Sequence, residues 1–124
     1  MPPVKKKNLK QTSRKLVKPC VRASVEKQVK DPIILDVSKL CSFTDYFVII
    51  SGRSTRHVQG LAEALEAELR SKRLATSKSE GLQEGIWVLL DFNDVVVHIF
   101  YSESRQFYDI EGLWHDAPRI SLDD

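Results

Sequence analysis

Apolar and polar positions follow two different periods along this chain, and each period predicts an element. Ile33 to Val37 reads as a strand. Tyr46 to Ser51 is a near-continuous apolar run, as expected of a strand buried on both faces. Gly52 ends that run, and Ser54 or Thr55 can cap a helix behind it. Val58, Leu61, Ala62, Leu65 and Leu69 then recur at i, i+3, i+4, i+7 and i+11, with Glu63, Glu66, Glu68 and Arg70 turned outward. That spacing predicts an amphipathic helix fading near Arg73. Leu74 to Glu84 is polar, contains Gly81, and leaves room for one short edge strand. Ile86 to Asp91 and Asp94 to Tyr101 flank Phe92-Asn93, the pattern of a tight hairpin. Ser102 and Glu103 suit the start of a short helix through Tyr108. The closing residues, with Leu113, Trp114 and Pro118, are expected to pack back on the body. Near the N-terminus, Pro19 can open a further helix with a modest stripe of Cys20, Val21 and Val25, stopped by Asp31-Pro32. The order of elements predicts an α/β (α+β) domain: a mixed sheet of about five strands flanked by helices.

The hairpin also predicts faces. A two-residue loop at Phe92-Asn93 pairs Asp91 with Asp94, Leu89 with Val96 and Trp87 with His98. One face is then Ile86, Val88, Leu90, Val95, Val97, Ile99 and Tyr101, which is core. The other shows Trp87, Leu89, Asp91, Asp94, Val96, His98 and Phe100, where aromatics mix with acids and an imidazole. A solvated face would carry Lys, Thr and Glu, and a sealed one would lack the acids. The mixture suits a protein-binding patch with an aromatic centre and a charged rim. The alternative is that a helix covers this face and His98 is a satisfied core residue. A bulge at Asn93 would undo the assignment.

Length and charge narrow the picture. With 124 residues, 42% hydrophobic, there is room for one domain. We expect a basic arm at 1–18, the domain at 19–120 and a short tail at 121–124. No apolar run approaches the ~20 residues that span a bilayer, so no membrane partner is expected. Cys20 and Cys41 make no disulfide framework and fit a reducing compartment, with the cytoplasm as default. The arm has the Lys, Arg and Ser of a transit peptide but lacks its Leu and Phe at helical spacing. Residues 1–30 hold ten Lys/Arg and one acid, a net +9, whereas residues 31–124 hold nine Lys/Arg and sixteen acids, a net −7. The arm suits phosphate, so rRNA is a candidate partner for residues 1–18, and the acidic body suits a basic protein. An inert solubilising tail is the other reading of the arm.

Asp45-Tyr46-Phe47-Val48-Ile49-Ile50-Ser51-Gly52-Arg53-Ser54 resembles a characteristic block of the ribosomal silencing factor (Iojap-like) family. Gly85-x-Trp87-Val88-Leu89-Leu90-Asp91 with Asp94-Val95-Val96-Val97-His98-x-Phe100 is similar to a second block. Arg105, Phe107-Tyr108, Leu113-Trp114 and Asp116-Ala117-Pro118 are similar to the close. The blocks run in the family's order over roughly residues 31–119. The resemblance implies a nucleotidyltransferase-like topology and a binding factor rather than an enzyme. Its implied partner is a protein on the inter-subunit face of the large ribosomal subunit, the fourteenth in standard numbering. Its implied action is to keep the small subunit from joining, with organellar relatives linked to large-subunit assembly. Carried over by position, the partner-binding candidates are Trp87, Asp91, Asp94 and His98, joined by Tyr108, Asp109 and Glu111. Leu113 and Trp114 fit either interface or core. The expected state is a monomer or weak homodimer. The long basic arm and Pro19 depart from the family pattern.

The implied topology raises an enzymatic rival, in which Gly52-Arg53-Ser54 cradles a nucleotide phosphate and a carboxylate pair holds Mg²⁺. Asp109-Ile110-Glu111 has i, i+2 spacing but lies far along the chain from that turn and follows a helix. Glu66 and Glu68 sit on a helix, where i and i+2 diverge. A tight turn and an N-cap explain Gly52 and Ser54. The cysteines and His57, His98 and His115 lack metal-ligand spacing. No catalytic residue, cofactor or metal is therefore expected.

Overall fold

The computed structural model describes residues 30–71 and 78–120; the basic arm, the Pro19 helix and the tail lie outside them. Among the described residues six strands form one sheet: β1 (Lys30–Asp36), β2 (Tyr46–Gly52), β3 (Lys78–Glu80), β4 (Trp87–Asp91), β5 (Val95–Tyr101) and β6 (Arg119–Ile120). Three helices accompany them there: α1 (Thr55–Ser71), α2 (Ser102–Tyr108) and α3 (Ile110–Leu113). The strand order is β3-β4-β5-β2-β1-β6. The central β2–β5 pair is parallel and every other pair antiparallel. The expected α+β class stands, with β3 and β6 as short edge strands, the lengths that leave an edge least open to further pairing.

Every residue of β2 is buried, as its unbroken apolar run predicts for the central strand of a sheet covered on both faces. Its side chains part by parity. Tyr46, Val48 and Ile50 join Ile34, Val88, Leu90, Phe92, Val95, Val97 and Ile99 beneath α1. The helix supplies Val58, Leu61, Ala62, Leu65 and Leu69, all at 2% exposure or less, so its helical stripe is the seam of the main core.

The opposite face is sealed differently. Phe47, Ile49, Leu35, Val37, Val96 and Phe100 pack with Ile110 and Ala117, and Trp87, Leu89 and Trp114 half-cover them. Here the cover comes from α2, α3 and the chain that follows, a much thinner lid than α1. This corrects the view of that face as an outward surface. Its apolar residues need shielding from water, and the closing segment provides it.

The hairpin register also differs from expectation. Trp87 pairs with Phe100, Leu89 with His98 and Asp91 with Val96. Phe92 N–H donates to Val95 O at 2.9 Å, so the loop is Asn93-Asp94 rather than Phe92-Asn93. Two interactions pull the turn along by one residue. Phe92 is 6% exposed in the main core, and the Asp91 carboxylate accepts the Asn93 N–H at 2.8 Å. Asn93 takes φ 73°, a conformation asparagine tolerates. The pairing moves by two positions, an even number, so the predicted faces survive except at Ile86, which precedes β4 and is 39% exposed rather than core.

Candidate functional site: an aromatic ledge at the closing helices

Tyr101 enters α2 in an extended conformation without a side-chain cap, so Ser102 is the first helical residue and not the cap. After seven residues the helix stops at Asp109, whose φ of 47° and ψ of 53° place it in the left-handed region. Its carboxylate then accepts the Gly112 N–H at 3.1 Å and caps α3. One residue thus turns the chain between two short helices. Arg105 fastens this corner to the sheet. Its Nη1 donates to Ser51 Oγ of β2 at 2.9 Å, Nε donates to Glu111 Oε1 at 2.8 Å, and Nη2 bonds the same carboxylate oxygen. The arginine side chain is only 11% exposed.

The corner so held presents apolar side chains to solvent. Phe107 is 82% exposed, Leu113 73% and Tyr108 40%. Scattered exposed residues are ordinary, but Phe107 and Tyr108 join an aromatic stack. The Phe107 and Tyr108 rings meet edge-on at 5.2 Å between centroids. Tyr108 lies 4.9 Å from Trp87, which stacks on buried Phe100 at 5.1 Å. Trp87 Nε1–H donates to His98 Nδ1 at 3.1 Å. His98 stands 4.7 Å from Phe47, and Phe47 5.1 Å from Trp114. The rings therefore run without a break from an exposed ledge into the second core.

His98 is 5% exposed, and burial pulls its pKa down to about 4. It is neutral at ordinary pH. Since Nδ1 accepts from the indole, the proton sits on Nε2, which is buried and has no hydrogen-bond partner among the described residues. The expectation of an outward-facing imidazole is corrected: His98 lies under Trp87 rather than beside it on a surface.

The other candidate residues divide. Trp87 and Tyr108 come together, whereas Asp109 and Glu111, both at the closing corner, serve different partners. Asp91 before the hairpin turn and Asp94 within it lie at the far end of β4 and β5, Asp91 four residues along β4 from Trp87, or about 13 Å at strand rise. Asp91 organises the turn. Asp94 has a raised pKa, first from burial and then from the neighbouring Asp45 carboxylate. Leu113 and Trp114 also separate, the first exposed and the second half-buried against Phe47. Sequence reasoning passed over Arg105 and Ser51 as a linked pair, and Phe107 as an exposed anchor. The match of Arg105 and Phe107 to the family's closing block was the available signal.

Two backbone donors at the Gly52-Arg53-Ser54 turn and the start of α1 are in use. Ser54 Oγ accepts the His57 N–H at 3.0 Å, and His57 Nδ1 accepts the Arg53 N–H at 2.9 Å. The chain's own side chains thus hold these two amides. Asp109 and Glu111 serve the α3 cap and Arg105, so they do not converge on a common point. Among the described residues no group of three His, Cys, Asp or Glu is placed to hold a metal, and no helix is long and apolar enough to cross a membrane.

The fold and this surface define a small α+β domain with one face sealed by a long helix and the other ending in an exposed aromatic ledge. Residues 10–124 match the family described as "Ribosomal silencing factor during starvation". Ribosomal silencing factor RsfS of Bacillus subtilis is 36% identical over 110 residues, spanning 89% of this chain and 93% of the relative. A crystal structure of a Chromobacterium violaceum protein superposes with a TM-score of 0.80 at 37% identity, covering 82% of this chain and 85% of that one. The maize chloroplastic protein Iojap is 31% identical over 101 residues, which make up 82% of this chain and 44% of that longer protein. The chain belongs to the ribosomal silencing factor family, RsfS.

Proposed function

We propose that the chain docks on a protein of the large ribosomal subunit through the ledge of Trp87, Phe107, Tyr108 and Leu113, and there blocks joining of the small subunit. The partner that the family resemblance points to is the fourteenth protein of the inter-subunit face. The exposed ring stack rooted in the second core carries this reading. Interface anchors are typically aromatic residues held rigid from behind, ready to enter a pocket without losing much conformational freedom. Asp109 and Glu111 follow Tyr108 at the same corner, and with the −7 body they suit a basic partner surface. Asp91 and Asp94 form a second acidic point, within the span of an ordinary interface. His98 contributes from beneath. The action is occupancy, with no chemical step, and its setting is the cytoplasm.

Co-sedimentation with purified large subunits tests the reading. Trp87→Ala and Tyr108→Ala should each weaken binding by about 2 kcal/mol or more while the domain stays folded. Both should also restore subunit joining in a reconstituted assay. Wild-type affinity in the two folded variants would overturn the proposal.

A role in assembling the subunit is favoured by one relative. The mouse "Mitochondrial assembly of ribosomal large subunit protein 1" is 32% identical over 92 residues, 72% of this chain and 40% of that protein. Loss of such a role would show as accumulated large-subunit precursors with joining unaffected.

A further inference from the structure

The indole of Trp87 has broad contacts on its rings and one directional contact at its edge. Phe100 and Tyr108 pack on it at 5.1 and 4.9 Å between centroids, but stacked rings tolerate sliding and tilt. The hydrogen bond from Nε1–H to His98 Nδ1 at 3.1 Å is what singles out one rotation of the side chain. Trp87 is half-buried at the edge of the ledge, so a released indole could turn its N–H to water.

His98 is an expensive choice for its position. It lies in β5 between Val96 and Phe100, 5% exposed, with Phe47 against its ring and Nε2 without a partner among the described residues. A buried donor without an acceptor lowers stability, and a phenyl ring or an aliphatic side chain would fill the space without that cost. The benefit lies on the other nitrogen. Burial keeps the imidazole neutral, and with the proton on Nε2 the Nδ1 lone pair always faces the indole.

We infer that His98 is a positioning residue for the ledge: by accepting the Trp87 N–H it fixes the indole, and through the Trp87–Tyr108 contact it sets the angle at which Tyr108 and Phe107 meet a partner. This rests on the docking reading above, and the test separates the two. His98→Phe keeps the ring and removes the acceptor. His98→Asn places an amide oxygen near the position of Nδ1.

The full chain, labelled with ¹⁵N-tryptophan, reports the hydrogen bond through the Trp87 indole resonance, assigned with Trp87→Phe. Wild type and His98→Asn should show a protected indole N–H, whereas His98→Phe should show one exchanging freely with water. Affinity for purified large subunits should fall about tenfold in His98→Phe, the order expected for one net hydrogen bond, and recover in His98→Asn. In a Trp87→Phe background, His98→Phe should cause no further loss, because its effect passes through the indole. An unchanged indole signal in His98→Phe, or losses that add in the double variant, would overturn the inference. If His98→Phe does not fold, His98→Leu takes its place: it fills the site without an acceptor, and must free the indole N–H and lose the same tenfold. Full binding by Trp87→Ala and Tyr108→Ala would instead remove the docking reading, and the indole signal would still decide whether His98 holds Trp87.

Discussion

Burial holds His98 neutral down to about pH 4, whereas in the unfolded chain it takes up a proton near 6.5. The folded pKa is the lower of the two, so the unfolded state binds more protons between those values. This stabilising contribution is complete above pH 6.5 and is lost as pH falls toward 4. The span corresponds to about 3 kcal/mol. Asp94 acts in the opposite sense, since its raised pKa favours the fold at low pH, but it does so equally with or without the histidine. Urea unfolding at pH 7.5 and 4.5 isolates the His98 part. Wild type should lose about 2–3 kcal/mol more than His98→Phe over that interval, and parallel losses would refute the assignment. At Gly81 the constraint is backbone. Its φ of +82° disfavours any side chain, and a Cβ there would lie 2.1 Å from the Trp87 carbonyl oxygen. Gly81→Ala should therefore cost about 2 kcal/mol or more of stability, seen as a lowered Tm, and should disturb the start of β4 beneath the ledge.

Among the elements, α1 and the closing pair α2–α3 seal opposite faces by different means. Helix α1 was legible residue by residue, because a stripe over seventeen residues repeats its signal at each turn. The hairpin was legible as two faces but not as a register. Parity is written in the alternation of side chains, whereas the exact pairing depended on Phe92 finding the main core. The cover over the second face was legible only in part: a short helix through Tyr108 and a closing segment packed on the body were expected, but not which face they seal. A seven-residue and a four-residue helix carry too few turns to show a stripe, and the bonds that hold them are tertiary. Arg105 reaches back to Ser51, a partner no local spacing indicates. Trp87 and His98 do meet, through a hydrogen bond rather than as direct cross-strand partners, and His98 lies deeper than an outward face would place it, since depth depended on that cover. Arg105→Ala leaves Ser51 and Glu111 without their shared cation and should cost about 3 kcal/mol. Hydrogen exchange should show the loss concentrated in α2 and α3, with β2, β5 and α1 retaining their protection. Arg105→Lys should rescue only part, because one ammonium cannot serve both partners as a guanidinium does.

At the scale of the whole molecule, charge is divided along the chain, +9 in residues 1–30 and −7 in the remainder. If the arm holds phosphate, deleting residues 1–12 should weaken large-subunit binding and flatten its dependence on salt; unchanged binding and slope would mark it as an inert tail. The sheet carries a different consequence. Its central pair joins β2, which begins at Tyr46, to β5, which begins at Val95, with α1, β3 and β4 made in between. While the polypeptide is being synthesised, β2 and α1 emerge with their greasy sides uncovered and no middle strand to receive them. Nucleation must wait for the second half of the chain. The nascent protein therefore passes through a sticky, unclosed interval set by topology, and its folding rate is governed by that distant pairing rather than by its strong local helix.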